Sequence, residues 1–153
     1  MKNNEHLLST RRFLPMFITQ FFGALNDNVY KQALLLVITY GRINQQAADV
    51  STLNNLAALL FILPYFIFSA TAGQIADKFE RSQLIRGIKV LEIVIMLIGS
   101  AGFLLGNLWL LLLALFMMGT HSTFFGPIKY AILPEILKPN ELMSGNALFQ
   151  SGT

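Results

Sequence analysis

Residues 60–105 read LFILPYFIFSATAGQIADKFERSQLIRGIKVLEIVIMLIGSAGFLL: two long apolar runs on either side of one polar, basic segment, residues 73–87. A helix needs about 20 mostly apolar residues to cross a hydrocarbon layer ~30 Å thick, rising about 1.5 Å per residue. Residues 53–72 and 88–105 each meet that requirement. The segment between them is too polar to lie in lipid. This stretch therefore predicts two membrane-spanning helices joined by a loop.

Working outward, residues 13–40 and 108–132 predict two further spans, with Gly106-Asn107 as a tight turn before the last. The fold class is then all-α, a polytopic transmembrane bundle. Residues 1–12 are polar and basic and predict a retained N-terminal segment, and no small-residue cleavage site follows them. After Leu133-Pro134 the chain turns polar, and Asn140 with Glu141 opens a fifth helix that has spanned nothing by Thr153. The reading is a transmembrane domain over residues 13–153, four helices and part of a fifth, incomplete without a C-terminal half.

Composition agrees. Of 153 residues, 54% are hydrophobic and 12% charged, about half the roughly 25% charge of a soluble domain. The absence of Cys excludes a disulfide framework and thiolate metal sites. A net charge of +3 would be compatible with nucleic acid, but Lys and Arg gather at the ends of apolar runs and read as topology signals. Lys2, Arg11, Arg12, Lys78, Arg81, Arg86, Lys89, Lys129 and Lys138 fall on one side, with Arg42 on the other. The excess predicts a cytoplasmic N-terminus.

Polar residues within the spans are the candidate functional groups. GALNDNVYK, residues 23–31, places Asn26, Asp27, Asn28 and Lys31 near the middle of the first span. Each would cost a few kcal/mol facing lipid, so they face a protein interior or a wet cavity. Asp27 and Lys31 are spaced i, i+4 for an internal ion pair, or they contact a polar substrate. In the fourth span His121 either hydrogen-bonds within the bundle or relays protons. Lys129 either snorkels to the interface or grips an anionic group. Pro127 between them is expected to kink or end the helix. Lys89 and Glu92 are expected to pair at the interface, and Gly99, Gly102 and Gly106 to allow close helix approach. No metal-ligand spacing, phosphate-binding loop or nucleophile motif is present. No catalytic residue, cofactor, metal or nucleic-acid partner is predicted.

Residues 73–87, GQIADKFERSQLIRG, resemble the signature loop of the major facilitator superfamily through Gly73, Asp77, Lys78 and Arg81, with Glu80 and Ser82 departing from the pattern. The loop also falls where that superfamily has it, between the second and third helices. Physically, Gly73 would let the turn approach a neighbour and Asp77 would cap a helix N-terminus. RRFLPMFITQFFGALNDNVYK, LFILPYFIFSATAGQIADKFER, GTHSTFFGPIKYAILPEIL and ELMSGNALFQSGT further resemble the bacterial lysophospholipid transporter family, particularly the forms fused to an acyltransferase and an acyl-carrier-protein ligase.

That resemblance implies alternating access across the bacterial inner membrane, with lysophosphatidylethanolamine or another amphipathic molecule as substrate and the lipid bilayer as partner. Motif matches carry over Asp27, Lys129 and Asn146. They imply that Asp27 with Asn26 and Asn28 meets the ammonium of the head group, that Lys129 meets its phosphate, with His121 nearby, and that Phe17, Phe21, Phe22 and Phe61 accept the acyl chain. The superfamily's usual mid-helix Arg is missing from the fourth span, where His121 is the ionisable residue. A transporter of another small solute, and the membrane domain of a fused acyltransferase enzyme, are the alternative readings.

Overall fold

A computed structural model describes residues 7–41 and 49–153. Lys2 and Arg42, both used in the charge count, lie outside the described residues. The described chain forms five helices: α1 (Leu14–Tyr40), α2 (Val50–Lys78), α3 (Arg81–Leu105), α4 (Leu108–Ile136) and α5 (Leu142–Ser151). The fold is all-α, as the apolar runs predict, and the protein is a multi-pass membrane protein.

Three of these helices, α2, α3 and α4, are long and apolar enough to cross a membrane. α1 has the length, 27 residues, but Gln20, Asn26, Asp27, Asn28, Lys31 and Gln32 interrupt its apolar character. What a lipid-facing helix could not tolerate is acceptable where a helix turns these groups inward.

The expected loop over residues 73–87 is almost entirely helical. α2 runs on through Lys78 and α3 starts at Arg81, leaving only Phe79 and Glu80 between them. Asp77 consequently sits in the last turn of α2 and caps nothing, while the N-cap of α3 is Glu80. Gly73 has open space where a side chain would project. The close approach is made by Ala72 and Ala76, both buried.

The turn at Gly106-Asn107 follows the prediction. Gly106 is left-handed, with φ of 60°, and its N–H bonds back to Phe103 O at 3.3 Å while that of Asn107 bonds to Gly102 O at 3.0 Å. This pairing satisfies the last carbonyls of α3. Asn107 Oδ1 then accepts from the N–H groups of Trp109 and Leu110 at 3.0 and 3.3 Å and starts α4. Gly106 thus serves the turn. Gly99 and Gly102 serve packing: a Cβ at Gly99 would lie 2.6 Å from the Tyr30 ring, and one at Gly102 would lie 2.9 Å from Leu111.

α4 is the central helix. It packs along both α2 and α3 and also touches α1 and α5, and it buries residues on all sides, from Leu108 to Leu133. Neither Pro127 nor Pro134 ends it, and it continues to Ile136. Where α2 crosses it, a side chain at Gly119 would strike the carbonyl oxygen of Phe61 and the ring of Pro64.

Two apolar clusters hold the bundle, one toward each end. At the Gly106 end, Tyr30, Leu34 and Ile38 of α1 pack with Ile95 and the first turns of α4. At the Arg81 end, Phe13, Met16, Ala76, Ile88, Ile128 and Phe149 pack together. Polar residues of α1, α3 and α4 occupy the level between them.

Candidate functional site

Between the two clusters lies a cavity of about 390 Å³, walled by α1, α2, α3 and α4 and reached by Thr153 just past α5. Asp27, Asn28, His121 and Lys129, four of the five predicted substrate-binding residues, line it together. Asn26 does not line it. Its buried Nδ2 finds no hydrogen-bond partner among the described residues.

Asp27 and Lys31 do not pair. Asp27 Oδ2 instead accepts a hydrogen bond of 2.8 Å from Ser122 Oγ on α4, and Lys31 Nζ sits 4.5 Å from the centre of the Phe61 ring. The other carboxylate oxygen of Asp27 is buried with no partner among the described residues. That is a buried acceptor without a donor, and such a group in a membrane interior costs free energy until a donor reaches it.

Lys89 and Glu92 do pair, at 2.6 Å, as expected. Because α3 begins at Arg81, these residues lie about 12 and 16 Å along the helix, at 1.5 Å per residue. Lys89 Nζ also donates to Thr19 O at 3.4 Å and stands 4.8 Å from the centre of the Phe125 ring. The absence of a side chain at Gly23 makes this possible, since a Cβ there would lie 2.9 Å from Lys89 Nζ. Glu92 faces His121 as well, with 3.6 Å between Oε2 and Nε2. His121 is 3% exposed, its ring stacks near Phe125, and neither of its nitrogens has a hydrogen-bond partner among the described residues.

Gln20, 3% exposed, closes one edge by donating a 2.7 Å bond to Thr153 Oγ1. Tyr65 and Tyr130 add phenolic rings to the wall. In the lining, Lys31, Lys89 and Lys129 outnumber Asp27, and Glu92 offsets Lys89 from behind. Lys31, one turn from Asp27 on α1, and Lys129 on α4 line the cavity with it, in no ion pair among the described residues. The arrangement offers cationic and anionic groups in one cavity, which suits a zwitterion or an anion with a nearby hydrogen-bond donor.

The predicted aromatic wall survives only in part. Phe61 lines the cavity. Phe17 packs into the apolar cluster with Phe13 and Phe149, and Phe21 and Phe22 are exposed on the outer face of α1 at 42% and 59%. Asn146 lies on α5 and is not part of the lining.

Of the segment resembling a signature loop, Asp77 and Arg81 line a smaller cavity of about 250 Å³ with Glu80, Ile132 and Glu135. Arg81 is bonded to Glu135, tying the start of α3 to the end of α4. Lys78 extends over the Phe79 ring.

Sequence reasoning missed Gln20, Tyr65, Ser122 and Lys89 as lining groups. Charges inside residues 73–87 suit a loop and equally suit the helix ends found here.

The sequence matches the family described as transmembrane secretion effector over residues 43–152. Among curated proteins it is similar to the lysophospholipid transporter of Cronobacter sakazakii, at 26% identity over 149 residues, covering 95% of this chain and 34% of that protein. It is also similar to the lysophospholipid transporters of Pectobacterium carotovorum, 28% identical over 146 residues with 95% and 33% coverage, and of Photorhabdus laumondii, 28% identical over 151 residues with 95% and 34% coverage. The chain thus spans about a third of the length of the curated relatives it matches. No solved structure matches it. With the family match covering most of its length and membrane-capable helices throughout that region, the chain belongs to the transmembrane secretion effector family.

Proposed function

We propose that the complete protein is a membrane transporter that moves a lysophospholipid, with lysophosphatidylethanolamine as the leading substrate, by alternating access. The carrying observation is the cavity at mid-bundle, where Asp27 and Lys129 stand among Ser122, His121 and Asn28. The curated relatives named as lysophospholipid transporters support the substrate class. In this reading Asp27 accepts from the ammonium of the head group and Lys129 meets its phosphate. Burial between apolar clusters strengthens both contacts relative to water. A second half of the transporter, closing over the cavity, completes the site. Arg81 and Glu135 act as a latch whose opening accompanies reorientation, with Asp77 beside them.

The orientation follows the charge excess: the Arg81 end faces the cytoplasm, in the inner membrane of a bacterium. Fusion to an acyltransferase and an acyl-carrier-protein ligase, implied by resemblance, would supply reacylation of the cargo on that side. This segment itself is read as non-enzymatic.

The test is uptake of labelled lysophosphatidylethanolamine by spheroplasts expressing the complete protein. Asp27→Ala and Lys129→Ala are each expected to reduce uptake at least about tenfold, the equivalent of one lost charge-assisted hydrogen bond, with membrane insertion unchanged. Uptake at the parent level in both variants would reject the head-group assignment. Uptake of an unrelated metabolite that lysophosphatidylethanolamine fails to compete would reject the substrate class.

A further inference from the structure

A second cavity, of about 270 Å³, adjoins the polar one between α1 and α2. Its lining is mostly apolar, with Leu34 and Leu35 of α1, Ala57, Ala58 and Ile62 of α2, and Leu115 of α4 at the back. Gln32 and Asn54 put two amides on the wall. Two residues, Lys31 and Phe61, belong to both cavities. Those same two touch each other, the Lys31 ammonium resting 4.5 Å from the Phe61 ring centre.

This boundary has a chemical direction. The Lys31 stem is apolar and its head charged, so the side chain can lie along the slot while its ammonium stays at the polar junction. On one side of the junction are Asp27, Lys129 and His121. On the other are aliphatic side chains. The slot is also open at its mouth, where Leu35 is 45% and Ile62 49% exposed. A molecule with a charged head and one flexible apolar tail matches both compartments at once, whereas a compact polar solute would fill only the first.

We infer that the slot between α1 and α2 holds the acyl chain of a single-chain amphiphile whose head occupies the polar cavity, with Lys31 and Phe61 marking the head-to-tail boundary. This rests on the proposed head-group site and adds the location of the tail and the determinant of its length. The small side chains at Ala57 and Ala58 keep the slot open. Ala58 is exposed on α2, so a larger residue there fills the slot without displacing the core, whereas Ala57 packs against the apolar cluster.

Two measurements on the complete protein in phospholipid vesicles test this. In the first, lysophosphatidylethanolamine carrying a diazirine at the end of its acyl chain is photolysed and the labelled peptides are mapped. Label displaced by excess unlabelled lysophosphatidylethanolamine is expected on the α2 segment containing Ala58 and Ile62 and on the α1 segment containing Leu35. Displaceable label found elsewhere, or label confined to the lipid-facing Val90, Ile93 and Leu97 of α3 and indifferent to competitor, overturns the slot.

In the second measurement, Ala58→Phe is expected to lower uptake of a long-chain lysophosphatidylethanolamine about tenfold, the effect of excluding roughly two methylenes, while a short-chain analogue is taken up as before. Equal uptake of both chain lengths in this variant, relative to the parent, overturns the proposal. The two readings fail separately. Specific slot labelling that persists in Lys129→Ala rejects the head-group assignment alone, and uptake that needs Lys129 but labels no slot residue rejects the tail assignment alone.

Discussion

Asp27 and Tyr30 stand three residues apart on α1 and place a polar group inside the same bundle in opposite ways. The Tyr30 hydroxyl donates a 2.9 Å hydrogen bond to the carbonyl of Leu111, its ring meets Phe103 edge-on, and it lies over the bare backbone at Gly99. Its polar atom is satisfied and its apolar area is covered. Asp27, which lines a cavity, has one carboxylate oxygen on Ser122 and the other buried without a partner among the described residues. The packing around Tyr30 is thus closed, and the middle of the bundle is held open with groups that want partners. Such open polarity in a membrane interior is costly for stability alone, which is the physical reason to read it as a binding region.

If that division holds, breaking the packed region destroys the fold and altering the open one spares it. The largest effect is expected at Gly119, where α2 crosses α4. Gly119→Leu would drive a side chain into the Phe61 carbonyl and Pro64, and since backbone cannot yield as a flexible side chain does, the cost should exceed roughly 3 kcal/mol. Size-exclusion profiles and thermal melts in detergent should show no folded protein. A folded Gly119→Leu variant would mean that this crossing is looser than its geometry shows.

An intermediate effect is expected at Glu92, which belongs to the open region yet carries a packing duty. Lys89 and Glu92 are 23% and 14% exposed at their side chains, and removing one partner strands the other. Glu92→Ala should cost about 2 kcal/mol, below the 3–5 kcal/mol of a fully buried pair because both groups keep some solvent. Adding Lys89→Met should recover most of that loss in the same thermal melt. If the double variant is no more stable than the single one, the pair is not what holds α3 beside Gly23.

How much of this was readable in advance depends on what each residue answers to. The second, third and fourth spans were legible because hydropathy over some 20 residues averages out local detail, whereas the first is too polar to meet the same measure. The turn at Gly106-Asn107 was legible because its chemistry is local: left-handed glycine followed by an Asn cap. The ends of α2 and α3 were not, since helices protruding from lipid carry the same charged residues as a loop, and the continuation past Pro127 depends on tertiary packing around α4. In the site, Asp27, His121 and Lys129 stood out because ionisable residues are rare in apolar spans. Ser122 and Tyr65 did not, because hydroxyl groups are ordinary there and only the crossing of α1, α2 and α4 brings them to Asp27. Asn26 shows the converse limit: it adjoins Asp27 in sequence, yet about 100° of helical rotation takes it off the cavity wall.

The smallest expected effect is the most discriminating, because it exchanges roles between neighbours on one helix. Tyr30→Phe deletes a satisfied hydroxyl and keeps the ring over Gly99. The loss should be about 1 kcal/mol at most, since interhelical hydrogen bonds in membranes average about 0.6 kcal/mol, and uptake of lysophosphatidylethanolamine should stay at the parent level. Asp27→Asn, nearly isosteric, should do the reverse: the melting midpoint holds or rises as an under-partnered charge is removed, and uptake falls. Parallel melts and uptake assays on the two variants separate the regions directly. Should Tyr30→Phe lose uptake as Asp27→Asn does, the cavity would extend functionally to the Gly106 end, and the hydrogen bond to Leu111 would have to be counted as part of the moving machinery rather than as a fixed joint.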